Sequence, residues 1–336
     1  MESLVAHFLN VGHGDCTFIE LPSGRLMMID INNSKSLPET DKEALAARKG
    51  ISVREFAGAT GFRLGKSWQQ YYESLLVDPY DYYKDHFRGR PVFRYLQSHP
   101  DMDHMSGLHR FFWLERVPLV NFWDVPHSKK LDKDSFSHGR FNYQDWLTYL
   151  QLRKGVGPGP NDGHGTPTSH YVIENTRLAS GQFWTDDGIQ VFSPTAELIA
   201  GCDDSGDFND CSYVIKLSYA DRSIILPGDA EEPAWKSMLS DLGAARLGCD
   251  VLKAAHHGRD SGFYEPAVKA MNPKIVICSV GEKPDTDASD DYNRIAGKVL
   301  STRYNGTITV TIWADGEVWV DDHDGDRLAS LPPLKA

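Results

Sequence analysis

The chain has 336 residues, 40% of them hydrophobic and 11% aromatic, enough apolar material for a large buried core. Its 47 acidic residues outnumber 35 basic ones, a formal charge of −12, which argues against a non-specific coat on nucleic acid but not against a cleft whose sign is reversed locally by bound cations. The five cysteines are scattered and never form a CxxC pair, so core thiols are expected rather than a disulfide frame or zinc knuckle.

The first thirty residues read as two strands and a hairpin. "VAHFLNV" is apolar, "GHGD" turns, "CTFIEL" alternates, and "RLMMID" is an apolar run ending in Asp30. The start of the chain has no basic or apolar leader segment, and no uncharged apolar run approaches the roughly 18 residues of a membrane span. A cytoplasmic protein without membrane contact is therefore expected. Residues 33–90 break the strand rhythm with helical or irregular segments rich in Tyr, Lys and Asp, and are expected to form an insertion beside the site. "PVFRYLQS" returns as a strand and runs into "SHPDMDHMSGL". A second insertion is expected over about 124–180, including the Gly/Pro-rich stretch 155–170 with His164 and His170, either a lid or a plain loop.

Strands resume at "GIQVFSP". "SYVIKLSYADRSIILPGDAEEPAWKSMLSDL" reads as strand, turn, strand, loop, helix; "DVLKAAHHG" is a strand ending in a histidine pair, and "PKIVICSVG" is another strand. "GTITVTIWADGEVWVDD" predicts a hairpin turning at Asp315-Gly316, with Asn305-Gly306 as a neighbouring turn. Alternating strands and helices in both halves predict an α/β sandwich, two sheets covered by outer helices, in a single domain over 1–336.

The chemistry concentrates in six residues. In an extended loop His99, Asp101 and Asp103 point to one side, and a turn at Asp103 brings in His104. Asp30, Asp229 and the pair His256 and His257 each follow an apolar strand, the edge where functional groups gather in α/β folds. A carboxylate there is costly unless it is paired or coordinated. Together these residues predict a dinuclear metal site.

"HPDMDH" resembles the HxHxDH signature of metallo-β-lactamase-fold hydrolases. The ordered blocks "LNVGHGDCTFIELPSGRLMMID", "SHPDMDHMSGL", "NDCSYVIKLSYADRSIILPGDAEE" and "DVLKAAHHG" are most similar to the hydrolase domain of ComEC-type DNA-uptake proteins. The likeness spans roughly residues 5–32, 92–110 and 187–320. It implies a metallo-β-lactamase-like αββα sandwich and two divalent metal ions, Zn²⁺ or Mn²⁺. His99 and Asp101 would belong to the first ion, Asp103, His104 and His257 to the second, with Asp229 shared. His257 is preferred to His256 because it precedes Gly258. His256 is then free to contact substrate or donate a proton, and Asp30 resembles the carboxylate that orients the metal loop.

The sequence departs from that pattern in four ways. Asp101 stands where a second histidine is usual, a harder ligand that favours Mn²⁺ or Mg²⁺. The middle-motif histidine is missing from "DDSGDFNDCSYV", leaving Asp207, Asn209 or Asp210 to fill its place. "GEKPDTDASDDY" replaces an expected "GHP". No part of these 336 residues reads as the accompanying membrane channel, so import is not expected from them.

The expected activity is hydrolysis of a phosphodiester, nucleic acid or nucleotide, by a hydroxide bridging the two ions, with Asp103 and His256 at the reaction centre. A small ester, lactone or thioester is the alternative substrate, and a degenerate, non-catalytic binding protein the alternative to an enzyme. Arg94, Arg110, Lys129, Lys130 and Arg259 are candidates for a basic rim, with Arg259 best placed to meet a phosphate. Phe122 and Trp123 could stack a base but fit a core better. His7 and His13 read as structural.

Overall fold

The computed structural model describes residues 3–58, 65–137, 139–157, 168–279 and 286–334. The first half supplies β1 (Ser3–Phe8), β2 (Thr17–Glu20), β3 (Leu26–Ile29), β4 (Val92–Leu96), β5 (Leu119–Asp124), the short paired strands β6 (Val156–Gly157) and β7 (Thr168–Ser169), and β8 (Tyr171–Glu174). The second half supplies β9 (Ile189–Ser193), β10 (Val214–Tyr219), β11 (Arg222–Leu226), β12 (Val251–Lys253), β13 (Ile275–Cys278), β14 (Lys298–Ser301), β15 (Ile308–Trp313), β16 (Val318–Asp321) and β17 (Arg327–Leu331).

Two mixed sheets face each other. One runs β17-β16-β15-β1-β2-β3-β4-β5-β8, antiparallel as far as β3 and parallel from β3 to β8. The other runs β14-β13-β12-β11-β10-β9, parallel from β14 to β11 and antiparallel beyond. Phe8, Ile29, Leu96 and Trp123 of the first sheet meet Ile215, Leu226, Val251 and Ile277 of the second in one apolar layer. Strands β3, β11 and β13 are buried along their whole length because helices cover the opposite faces, as parallel sheets require. Tyr83, Phe111 and Trp146 pack on the first sheet. Trp235 and Met238 of helix Glu232–Leu242 and Val268 of helix Glu265–Met271 pack on the second. The architecture is the four-layer αββα sandwich that the alternation of strands and helices predicted.

Local chemistry explains the helices of the first insertion. Ser52 with Glu55 and Ser67 with Gln70 form capping boxes that start helices Val53–Ala57 and Trp68–Glu73. Leu37, Leu45, Phe56, Tyr72 and Leu75 gather into a separate apolar cluster, tied to the sandwich by the buried Arg303–Asp41 pair at 2.7 Å.

Three expectations are revised. The 124–180 stretch is not wholly an insertion, since β8 continues the main sheet beside β5. Asn305 ends a helical turn, Thr302–Asn305, and Gly306 (φ 67°) leads into β15, so no hairpin turn lies there. The C-terminal hairpin gains a third strand, β17. All five cysteines are free and buried. Among the described residues no helix is long and apolar enough to cross a membrane.

Candidate metal centre

Strands β3, β4, β11 and β12 end on one edge of the sandwich, and the loops that follow them carry the cluster. Asp30, immediately after β3, sits in the left-handed region (φ 55°) and is 1% exposed. Its Oδ1 accepts from the Ser98 amide at 2.7 Å and its Oδ2 from Ser98 Oγ at 2.6 Å. His104 Nδ1 lies 2.7 Å from the same Oδ2 and donates to it, which orients the ring and turns Nε2 toward Asp229 as a candidate ligand atom. Asp30 thereby orients the loop that follows β4, and the structure gives it no place among the converging ligand atoms.

Those ligand atoms meet at Asp229. His104 Nε2 lies 3.1 Å and His257 Nε2 3.2 Å from Asp229 Oδ2, while His257 Nε2 lies 3.4 Å from Asp103 Oδ2. Ligand atoms about 2.1 Å from a tetrahedral ion stand about 3.4 Å apart, so these spacings fit one divalent ion. His104 Nε2, His257 Nε2 and Asp229 Oδ1 are buried without a hydrogen-bond partner, a condition expensive in a protein interior unless a ligand relieves it.

Two local devices bring the loops this close. Gly228 (φ 55°) lies where a Cβ would stand 2.9 Å from the Ser98 Cβ, so only glycine admits the approach of the Asp229 loop to the β4 loop. His256 (φ 47°) and His257 (φ 59°) are both left-handed. Such strain costs of order 1–3 kcal/mol per residue and concentrates at functional sites.

Residues dismissed or missed in the sequence complete the cluster. His13, read as structural, places Nε2 3.3 Å from Asp103 Oδ2. Asp15 is 3% exposed; its Oδ2 accepts from Lys253 Nζ at 2.5 Å and lies 3.6 Å from His257 Nδ1. Asp15, His104, Asp229 and His257 form one compact set of potential ligands, and His13, Asp103 and His257 another. The available signal was "GHGD", a histidine and an aspartate each preceded by glycine after an apolar strand.

Other candidates stand apart. Asp210 Oδ1 accepts from the Glu231 and Ala234 amides at 3.1 Å each, capping helix Glu232–Leu242. Asn209 Nδ2 reaches Glu231 Oε1 at 3.4 Å, and Asp207 accepts from the Asn209 amide. None of the three joins the converging set. His99 Nδ1 donates to Ser98 Oγ at 3.0 Å, and its Nε2 lies 3.9 Å from both Asp101 Oδ2 and Asp229 Oδ2. His256 stands at the rim, its Nδ1 2.8 Å from Glu231 Oε1 and its Nε2 3.7 Å from Asp229 Oδ2. Arg259 spans the mouth, 3.3 Å from His256 Nε2 and 3.1 Å from His13 Nε2.

The basic rim is smaller than expected. Arg94 is buried against Asp187, and Arg110 pairs with Asp78 and Asp81. Lys130 is exposed, and Lys129 pairs with Asp101. Phe122 and Trp123 belong to the core. In the 155–170 stretch His170 bonds the Leu152 carbonyl; His164 and the rest of 158–167 lie outside the described residues, as do residues 281–285 of "GEKPDTDASDDY".

The electrostatics follow from burial and opposite charge. Burial alone would push the Asp103 carboxyl up, but the His13 and His257 imidazoles beside it hold it well below the carboxylate range. Burial would lower His257, but Asp229 and Asp15 raise it to about 10. A histidine whose pKa rises on folding contributes stability that is complete below its ordinary value of 6.5 and is lost as pH climbs through about 10. Metal-stripped protein should therefore melt at progressively lower temperature between neutral pH and about 10. Metal affinity should rise with pH there, because an ion must displace the imidazole protons. Calorimetric melting and metal titration over this range check both; a flat melting profile would refute the assignment of charge.

No family model matches the chain. A 141-residue stretch is 28% identical to YcaI of Escherichia coli, covering 40% of this chain and 18% of that protein. A 110-residue stretch is 29% identical to ComE operon protein 3 of Bacillus subtilis, covering 31% of this chain and 14% of that protein. The matched part thus spans less than a fifth of either relative. Among solved structures, the metallo-β-lactamase fold protein YhfI of Bacillus subtilis aligns over 88% of this chain and 95% of its own, with a TM-score of 0.40 and 8% identity.

Proposed function

We propose that the chain is a metal-dependent hydrolase whose substrate is a phosphodiester, a nucleic acid or a nucleotide. The observation that carries this reading is the convergence of His104 and His257 on Asp229 Oδ2, with Asp103 beside His257 and two imidazole nitrogens unpartnered. The sequence expectation of two ions rests on adding His99 and Asp101 as a second set beside Asp229. A bound divalent ion supplies an acidified water and neutralises charge on the attacked group.

The chain's own residues supply the remaining functions. Asp30 and Ser98 hold the rings of His104 and His99 in the orientation that frees Nε2. His256, steadied by Glu231 and by Ser261 at 2.7 Å, is placed to pass a proton to a departing oxygen. Arg259 and Lys129 bring positive charge to the rim, which suits an anionic substrate better than a neutral lactone or ester. A cavity of about 260 Å³ lined by Asp101, Asp103, Lys129, Phe136 and Phe141 adjoins the cluster and would receive it.

The test is hydrolysis by metal-reconstituted protein of bis(4-nitrophenyl) phosphate, 4-nitrophenyl acetate and a homoserine lactone. Metal-dependent turnover of the phosphodiester well above the two carboxylic esters is expected. Preference for either of those would move the assignment to ester hydrolysis, and no turnover of any would remove the enzymatic reading.

A further inference from the structure

We propose that the Lys129 ammonium group stands in for one of the two metal ions, so that the chain binds a single divalent ion tightly and presents Lys129 as its second positive charge. The inference rests on the metal-dependent reading above and concerns what fills the site.

Three independent observations point to it. The residues that the pattern offered as a middle ligand are engaged elsewhere: Asp210 caps a helix and Asn209 bonds Glu231. The first set does not converge. Among the described residues, His99 and Asp101 join no trio of candidate ligands with atoms within 4.8 Å of one another, whereas Asp15, His104, Asp229 and His257 form one such set and His13, Asp103 and His257 a second that shares His257 with it, so the two sets compete for one imidazole. Finally, the Lys129 ammonium forms an ion pair with Asp101, the carboxylate that replaces a histidine.

The placement of Lys129 is supported on three sides. Its backbone amide donates to His127 Nδ1 at 3.0 Å, and His127 in turn bonds the buried Tyr149 hydroxyl at 2.6 Å. Its ammonium lies 5.1 Å from the centre of the Phe208 ring, a favourable cation–π distance. The side chain lines the cavity that also reaches Asp103, so the charge faces the space a substrate would enter.

Charge explains the exchange. An acidic oxygen with no third partner for an ion needs a cation, and a lysine satisfies it with one positive charge and no demand for geometry. A second divalent ion would have to displace the ammonium from Asp101 or sit beside it against like-charge repulsion. The aspartate at position 101 and the lysine at 129 would then form one device.

The experiment is calorimetric titration of metal-stripped protein with Mn²⁺, with elemental analysis of the dialysed product, on wild type, Lys129→Met, Lys129→Arg and Asp101→Asn. Wild type and Lys129→Arg are expected to hold one equivalent. Lys129→Met should hold two, or bind the second at least about tenfold more tightly. Asp101→Asn, lacking the carboxylate, should hold one. Two tight equivalents in wild type would overturn the inference, and so would a Lys129→Met protein that holds only one, since the incomplete ligand set would then suffice as explanation. Coincident far-ultraviolet dichroism and melting curves confirm that the variants are folded; if Lys129→Met is not, Lys129→Gln answers the same question. The two readings fail separately. One ion with no hydrolysis of any probe leaves this inference standing and removes the enzymatic one, whereas two ions with metal-dependent hydrolysis does the reverse.

Discussion

Replacing Asp229 by Asn is expected to abolish tight metal binding and metal-dependent hydrolysis together, with the protein still folded. Asp229 is the common neighbour of the site: its Oδ2 lies 3.1 Å from His104, 3.2 Å from His257, 3.7 Å from His256 and 3.9 Å from His99. An amide keeps the volume and can still accept one hydrogen bond, but it removes the negative charge that lets two imidazoles and a cation share a buried space. Outlying residues that merely orient ligands cost about 10–100-fold in metal affinity when removed, so loss of a shared ligand should exceed about 100-fold. Titration calorimetry and turnover of bis(4-nitrophenyl) phosphate measure the two effects side by side. Affinity within about tenfold of wild type would exclude Asp229 as a ligand.

The largest effect on stability is expected at Asp30. Asp30→Ala leaves the Ser98 amide, the Ser98 hydroxyl and His104 Nδ1 without their acceptor in a region that water does not reach. Removing one partner of a buried charged network costs about 3–5 kcal/mol, and alanine adds strain at φ 55°. Asp30→Asn should be milder, because asparagine tolerates the left-handed backbone and its carbonyl can still accept from the Ser98 amide. Denaturant titration of metal-stripped protein resolves the comparison. An alanine variant within about 1 kcal/mol of wild type, at unchanged m-value, would show that the network contributes little.

Much of the site was legible because its residues come in short runs. His99, Asp101, Asp103 and His104 occupy one loop after an apolar strand, and Asp30, Asp229 and the His256-His257 pair each terminate another. Local hydropathy marks the strand, and a charge that cannot remain buried alone marks its end. Parallel strand pairing then places those ends on a common edge. The same local logic failed for Arg94. A basic residue in an apolar strand read as a rim candidate, and its buried partner Asp187 lies 93 residues away.

The sequence by itself determined most of the strands and the layering of two sheets under outer helices, and it marked the acidic and imidazole side chains at the strand ends, because side-chain periodicity and the cost of burying charge act over a few residues. Tertiary structure alone decided the membership of the cluster. Asp15 meets Lys253 across 238 residues, His13 reaches Asp103, Lys129 reaches Asp101, and β8 joins the first sheet instead of remaining in a loop. Glycine-flanked turns such as "GHGD" look alike in isolation. What separates a plain turn from part of the His/Asp cluster is which strand ends the sheet order sets beside it, a contact whose sequence separation leaves no local trace.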